Sequence, residues 1–263
     1  MILATESLDI AGPAGPIRAL LCLPLATPGA PPRQWTGVLL YSDIFQLTPP
    51  MVRTAQRLAG HGFVVVAPEL YGRNLPGGTA LDFDQDRKRA LDCADGMTVE
   101  QLDADRRAVL DWLQARSDVD RLCVAGWCFG GHLALRAALE NEVAATACFY
   151  GTGIHSGRLG ASSGVDTLER AKEITGRVLL GWGRQDPHVP FEGRVQIREA
   201  LEQSGTLYTS LEYNGAHAFM RDEGPRYNPV LANFVYAHAL ELFKRKLGEG
   251  DQLSATVATE TKH

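Results

Sequence analysis

The chain has 263 residues and a net charge of −5, and hydrophobic and charged residues make up 45% and 22% of it. At roughly 150 residues per domain, this length predicts one large or two small globular domains with a sizeable core. Basic and acidic residues are interspersed, so no basic face is available for phosphates and we expect no nucleic-acid partner. The longest apolar run, residues 19–26, is far shorter than the ~20 residues of a spanning helix, so we expect no membrane partner.

The charges near the amino terminus and the cysteine pattern indicate the cellular compartment in which we expect the protein. Glu6 and Asp9 stand where a signal peptide would carry positive charge, so we expect no export signal. The five cysteines are an odd number without a C-x-x-C pair, which argues against both a disulfide framework and a zinc site. We therefore expect a cytoplasmic protein with reduced thiols and no metal, in which four of the cysteines are small buried hydrophobes.

Seven apolar stretches are predicted strands, and their unbroken runs favour a parallel sheet that is buried on both faces. In chain order, they are Ile17–Leu23, Val38–Tyr41, Phe63–Ala67, Leu122–Ala125, Ala144–Tyr150, Val178–Trp182 and Leu207–Tyr213. Helical patterns cover Met51–Ala59, Val99–Ala115, Gly131–Leu139, Glu192–Glu202 and Val230–Leu247. Thr98, three residues before Gln101, predicts a capping box for the second helix. This alternation predicts an α/β fold with a mostly parallel central sheet and helices on both faces.

The order of these elements also bears on the domain organisation. Neither a linker nor an internal repeat divides the chain, so we expect a single α/β domain over residues 1–248. Residues 249–263 are polar and lack core-facing periodicity, which predicts a flexible tail. The last helix is expected to pack on the sheet through apolar residues at helical spacing. These are Leu231, Phe234, Val235, Ala239, Leu242 and Phe243.

Residues 126–131, Gly-Trp-Cys-Phe-Gly-Gly, lie between a predicted strand and a predicted helix. This is the G-x-S-x-G nucleophile elbow with Cys128 in the serine position. Gly126 and Gly130 suit the sharp turn because side chains there would collide, and the thiol would lie at a helix N-terminus that favours thiolate. The alternative interpretation is a glycine-rich turn around a buried cysteine.

The same architecture places an acid and then a histidine after the nucleophile along the chain. Asp186 and His217 follow the last two predicted strands, so we predict a Cys128–Asp186–His217 triad. His188 is a rival for the histidine, but it precedes the last strand. Cys128 would attack a carbonyl and form an acyl-enzyme, while His217 takes the thiol proton and Asp186 holds the imidazole.

An oxyanion formed in that step requires backbone donors at fixed positions. One predicted donor is the N–H of Phe129, the residue after the nucleophile. The other is expected from the loop that follows an early strand, where Ile44 N–H is the candidate.

Taken together, these residues resemble the dienelactone hydrolase family (the carboxymethylenebutenolidases). The resemblance runs from about residue 5 to 245 and rests on six segments: residues 43–45, 67–73, 76–82, 126–131, 185–186 and 215–221. It implies an α/β-hydrolase fold, a Cys-His-Asp triad, hydrolysis of the ring ester of dienelactone and no cofactor. We therefore predict a cysteine-dependent carboxylic ester hydrolase that acts on a small-molecule lactone or enol ester.

The resemblance also implies substrate-binding residues. Two family arginines bind the substrate carboxylate and correspond by motif to Arg89 and Arg221, although a solvated helix face is an equally simple account of Arg89. The family glutamate that holds the resting thiol proton is replaced by Asp43, which is one methylene shorter. Asp43 therefore either acts from a shifted loop or leaves the thiol to another group. Trp127 and Phe129 are bulky and predict an aromatic-walled pocket.

Two other functions are compatible with the sequence. A broad-specificity esterase or thioesterase would keep the same fold and triad. A non-catalytic α/β-hydrolase domain would instead bind a ligand or sense oxidants through Cys128. Such a domain would have no need of Asp186 and His217, which favours an enzyme. The sequence assigns no oligomeric state.

Overall fold

The computed structural model of the protein describes residues 3–25 and 33–245. Its strands are β1 (Leu3–Ile10), β2 (Ile17–Pro24), β3 (Trp35–Tyr41), β4 (Phe63–Pro68), β5 (Val119–Trp127), β6 (Val143–Phe149), β7 (Arg158–Leu159), β8 (Ser162–Ser163), β9 (Arg177–Gly183) and β10 (Tyr208–Tyr213). Its helices are α1 (Pro49–Gly60), α2 (Arg87–Asp95), α3 (Val99–Gln114), α4 (Phe129–Ala137), α5 (Phe191–Ser204) and α6 (Pro229–Lys244). The tail predicted at residues 249–263 lies outside the described residues.

Eight of these strands form one sheet in the order β1-β2-β4-β3-β5-β6-β9-β10, while β7 and β8 pair separately. β2 is antiparallel to both of its neighbours, and all pairs from β4 to β10 are parallel. The predicted α/β fold with a mostly parallel sheet is therefore confirmed. Because parallel strands end at the same edge, the loops after β3, β5, β9 and β10 gather there.

The sheet has a hydrophobic core on each face, as the unbroken apolar runs predicted. Along β3, Leu39 belongs to one core, and its neighbours Val38 and Leu40 belong to the other. α3 packs on the first core through Val109 and its neighbours, and α6 packs on the second. None of the helices in the described part is long and apolar enough to cross a membrane.

The structure confirms the predicted capping box but differs from the sequence predictions in two elements and one cysteine. The capping box is present: Thr98 Oγ1 accepts a hydrogen bond from Gln101 N–H, and Gln101 Oε1 accepts one from Thr98 N–H. The sequence missed β1, an edge strand with mostly exposed or half-buried residues, and it missed α2. All five cysteines are free thiols, but Cys93 is only partly buried, so three rather than four are buried hydrophobes outside the elbow.

The prediction for the apolar face of α6 was partly wrong. Val235, Ala239 and Phe243 are buried, whereas the Phe234 side chain is 54% exposed. Phe234 precedes Val235 by one residue, so it lies about 100° around the helix and faces away from the sheet.

A buried ion-pair network holds α4, which begins directly after the predicted nucleophile. The Arg136 guanidinium donates to both carboxylate oxygens of Asp103 on α3, at 2.7 Å each, and to Asp166 at 2.8 Å. Arg136 is buried, and Asp103 also pairs with the buried Arg106. The network fixes the position of α4 against α3.

We expect Arg136→Ala to lower the free energy of unfolding by about 1–3 kcal/mol, because it removes the buried guanidinium that links Asp166 to Asp103 and leaves Asp103 with Arg106 alone. Urea denaturation followed by circular dichroism measures this loss. Arg107→Ala is the matched control: the Arg107 side chain is 37% exposed, against 5% for Arg136, so its loss should cost less than about 1 kcal/mol. Equal losses in the two variants would contradict a special role for the buried network.

Candidate active site

The tight turn between β5 and α4 holds Cys128 in a conformation that side chains rarely adopt. Its φ is 58° and its ψ is −118°. Cys128 N–H donates to Phe149 O at 3.0 Å, and its carbonyl accepts from the N–H groups of Gly131 and Thr152, at 2.9 and 3.1 Å. These hydrogen bonds hold both peptide groups of the strained residue and present the thiol at the carboxyl edge of the sheet.

Gly126 and Gly130 flank Cys128 because the turn leaves no room for a side chain at either position. A Cβ atom on Gly126 would lie 1.8 Å from Gly130 O, and one on Gly130 would lie 2.3 Å from Ser42 O. Real Cβ atoms do not approach backbone oxygens so closely. The loop after β3 therefore packs directly against the turn that carries Cys128.

The three residues of the predicted triad meet at this edge. His217 Nδ1 lies 2.6 Å from Asp186 Oδ2, and both side chains are buried. His217 also forms a hydrogen bond with Cys128. A second carboxylate oxygen, Asp186 Oδ1, accepts from His188 N–H at 2.8 Å and thereby orients the acid. The ring of Tyr150 contacts His217 edge-on, with ring centroids 5.1 Å apart.

The charge state of His217 follows from these contacts. Burial by itself lowers the pKa of His217, but the negative charge of Cys128 and hydrogen bonds to Asp186 and Cys128 outweigh it. Together they raise the pKa of His217 to about 10. A histidine with a raised pKa, hydrogen-bonded to Asp186 and beside Cys128, is suited to hold and transfer a proton at this position.

The thiol opens into a cavity of about 290 Å³, a size suited to a small molecule. Its lining combines apolar and charged side chains. They are Asp43, Ile44, Phe45, Phe83, Asp84, Arg87, Leu91, Cys128, Thr152, His188, His217, Ala218, Arg221, Pro225 and Arg226.

The cavity does have an aromatic wall, but different residues from those predicted form it. Trp127 is buried against Phe149, with ring centroids 4.9 Å apart, and Phe129 is buried in the other core. The wall consists of Phe45 and Phe83, whose rings meet edge-on at 4.9 Å. Trp127 is the last residue of β5 and Phe129 is the first residue of α4, and both side chains point into the cores that these elements pack against.

The two predicted substrate arginines lie in different places. Arg221 lines the cavity, and its guanidinium stacks on Phe83, 3.7 Å from the ring centroid. Arg89 does not line the cavity; it is exposed, and its Nη1 lies 4.0 Å from an Asp86 oxygen. Arg87 lines it instead.

Helical geometry explains this shift. Arg87 and Leu91 are four residues apart on α2 and share the face toward the cavity. Arg89, two residues after Arg87, lies about 200° around the helix. The signal that would have found Arg87 was its spacing to Leu91, which required recognition of α2 as a helix.

Asp43 lies in the cavity wall but is engaged within its own loop. Its Oδ1 accepts from Phe45 N–H at 2.9 Å. Burial raises the pKa of Asp43, against the opposing effects of this hydrogen bond and of the charges on Arg221 and His217. In the described part of the chain, the Asp43 side chain makes no hydrogen bond to Cys128, which interacts with His217 instead.

The predicted oxyanion donors lie on the two segments that flank the thiol. Ile44 lines the cavity in the turn after β3, where the N–H groups of Phe45 and Gln46 are already bonded to Asp43. Phe129 is the first residue of α4, so its N–H has no intrahelical acceptor. Gln46 fixes this turn: its side chain accepts from Tyr71 N–H at 2.9 Å and donates to Thr79 O at 3.0 Å.

Comparisons with known proteins agree with this architecture. The model of the dienelactone hydrolase family matches residues 23–247. A Saccharomyces cerevisiae protein provisionally named carboxymethylenebutenolidase is 37% identical over 83% of this chain and 83% of its own length. The carboxymethylenebutenolidase of Pseudomonas sp. strain P51 is 30% identical over 79% of this chain and 84% of its own length. A Klebsiella pneumoniae structure provisionally named dienelactone hydrolase shares the fold, with a TM-score of 0.79, 23% identity and coverage of 94% and 100%.

The raised pKa of His217 sets an expectation for the pH profile. We expect kcat/KM for an activated ester to fall as the pH rises through about 10, where the imidazolium loses the proton that the leaving group requires. Asp186→Asn removes a charge and changes a hydrogen bond that raise this pKa, so the fall should move to lower pH. Initial rates from about pH 6 to 11, corrected for spontaneous hydrolysis, measure it. An unchanged alkaline limb in the variant would contradict the coupling.

Proposed function

This chain belongs to the dienelactone hydrolase family, and from that membership we propose that it hydrolyses a small lactone or enol ester through Cys128 and a covalent acyl-enzyme. Its family makes it a carboxylic ester hydrolase of the carboxymethylenebutenolidase type. The observation that carries the cysteine mechanism is the position of Cys128: a strained thiol hydrogen-bonded to a buried His217–Asp186 pair inside a cavity.

In the first step, the Cys128 thiolate attacks the carbonyl carbon of the ester. The carbonyl oxygen becomes an oxyanion, for which the N–H groups of Ile44 and Phe129 are the proposed donors. The bond from carbonyl carbon to leaving oxygen then breaks, and the His217 imidazolium gives its proton to that oxygen. In a lactone, the leaving oxygen stays tethered to the acyl group.

In the second step, neutral His217 takes a proton from water, and the resulting hydroxide attacks the thioester carbon. The carbon–sulfur bond breaks, which releases the carboxylic acid and regenerates the thiolate–imidazolium pair. Asp186 keeps the imidazole in one orientation throughout and stabilises its charged form. A thiolate is a weak base, so it attacks best where the leaving group is equally stable, as the enolate of an enol ester is.

The arginines indicate a substrate that carries a carboxylate. Arg221 is held by its stacking on Phe83, and Arg87 lines the same cavity from α2. A guanidinium presents two parallel donors to a carboxylate, which fixes the orientation of the ligand as well as its charge. We propose that these two residues hold the substrate carboxylate, with Arg87 in the role that the sequence had given to Arg89.

We expect Cys128→Ala to lose at least about 10³-fold in kcat for dienelactone and for p-nitrophenyl acetate, because no other group in the cavity forms the acyl bond. Acid-quenched mass spectrometry should detect an acyl adduct on the wild-type protein and none on the variant. Cys93→Ala removes another partly buried thiol and should keep both turnover and adduct. Residual turnover in folded Cys128→Ala comparable to wild type would refute the mechanism.

We expect Arg87→Gln and Arg221→Gln to raise KM for an ester with a free carboxylate by about tenfold each, because each removes a charge-assisted hydrogen bond. A neutral ester of similar size should change by less than about twofold. Arg89→Gln is the matched control on the same helix, and it should leave both substrates unaffected. A larger effect of Arg89→Gln than of Arg87→Gln would restore the assignment made from the sequence.

A further inference from the structure

A third arginine, Arg226, lines the cavity beyond those proposed to hold the substrate carboxylate. It lies in the loop between β10 and α6, the loop that also carries His217 and Arg221. Within residues 3–25 and 33–245, neither Arg226 nor Arg87 makes an ion pair or a side-chain hydrogen bond. By contrast, Arg53 and Arg158, which lie outside the cavity lining, pair with acids.

Two acidic residues of this loop, Asp222 and Glu223, form ion pairs with an arginine outside the cavity lining. Arg53 on α1 donates two hydrogen bonds to Asp222, at 2.7 Å each, and one to Glu223 at 2.8 Å. The loop is closed by Asn228 N–H, which donates to Phe219 O at 2.9 Å. The loop is therefore fixed at both ends, and its own carboxylates do not neutralise Arg226.

His188 faces the same part of the cavity. Its ring meets the ring of His217 edge-on, with centroids 4.7 Å apart, and its backbone is held by Asp186. Arg87 and Arg226 both lie within electrostatic reach of its imidazole. An imidazole carries a ring N–H in either protonation state, so His188 is a hydrogen-bond donor to an anion at any pH.

Positively charged side chains outnumber the acids in the cavity lining. Three arginines line it against two acids, the exposed Asp84 and Asp43, which is engaged in its own turn. The whole chain carries a net charge of −5, so this positive concentration is local rather than a general property of the surface. Such a cavity attracts anions.

We propose that Arg226 and His188 form a second anion-binding subsite in this cavity, and that the substrate carries a second acidic group there. The proposal rests on the hydrolytic function proposed above and narrows its substrate class. Arg87 and Arg221 hold one carboxylate near the ester, and Arg226 with His188 holds the other. The preferred ligands are dicarboxylates whose two charges span the subsites.

Competitive inhibition of p-nitrophenyl acetate hydrolysis tests this proposal at constant ionic strength. The inhibitors are the linear dicarboxylates from malonate to pimelate, each compared with the monocarboxylate of equal carbon number. For the wild-type protein we expect one chain length to bind best, at least about tenfold tighter than its monocarboxylate. Arg226→Gln should remove that preference, with about tenfold weaker dicarboxylate binding and less than about twofold change for monocarboxylates. His188→Asn should reduce the preference in part.

Arg184→Gln is the matched control, because Arg184 is exposed, lies outside the cavity lining and makes no ion pair in the described part of the chain. It should leave the dicarboxylate preference intact. If Arg184→Gln and Arg226→Gln lost the dicarboxylate preference equally, long-range charge would account for the preference, and the subsite proposal would be overturned. Equal binding of dicarboxylates and monocarboxylates by the wild-type protein would also overturn it.

Failure of the proposed function has a different signature. It would appear as ester turnover that does not depend on Cys128, or as monocarboxylate binding that is insensitive to Arg221→Gln. In either case, calorimetric titration with the same inhibitors still measures whether Arg226→Gln selectively weakens dicarboxylate binding. A wild-type protein that shows Cys128-dependent turnover but no dicarboxylate preference refutes only the second subsite.

Discussion

The left-handed backbone of Cys128 is the constraint on which the rest of the site depends. A non-glycine residue at a φ of 58° costs about 1–3 kcal/mol, and hydrogen bonds to Phe149, Gly131 and Thr152 hold it there. The same turn brings Gly130 against Ser42, where a single methyl group would not fit. The thiol and the loop after β3 are thus positioned by one close backbone contact, so Cys128 and the proposed oxyanion donors Ile44 and Phe129 are held close to each other.

The parallel sheet supplies the remaining parts at the same edge. β5 lies between β3 and β6, so the elbow has the loop after β3 on one side. β9 and β10 lie further along, and β10 ends three strands from β5. The histidine therefore arrives on a long loop, and its 2.6 Å contact with buried Asp186 at the end of the nearer strand is what aims it. Neither side chain would be correctly placed by its own strand alone.

The arginines of the cavity differ from the His217–Asp186 pair in their contacts. His217 and Asp186 are buried and hydrogen-bonded to each other, whereas Arg87 and Arg226 line the cavity without ion pairs or side-chain hydrogen bonds in the described chain. Arg221 lies between these extremes, held by stacking on Phe83. Under the proposed function, substitution of Arg87 or Arg226 would alter which anion binds and leave the elbow and the His217–Asp186 pair unchanged. This division allows one scaffold to serve related substrates.

The sequence by itself determined the alternation of strands and helices, the elbow around Cys128 and the chain order in which Asp186 and His217 follow it. These are local signals, because glycine spacing and apolar runs act through neighbouring residues. Only the tertiary structure decided which side chains face the cavity. Trp127 and Phe129 are buried in the two cores, and Arg87 rather than Arg89 lines the cavity. The physical reason is that a side chain's direction depends on the phase of its helix or strand against the sheet, and packing, not sequence position, sets that phase.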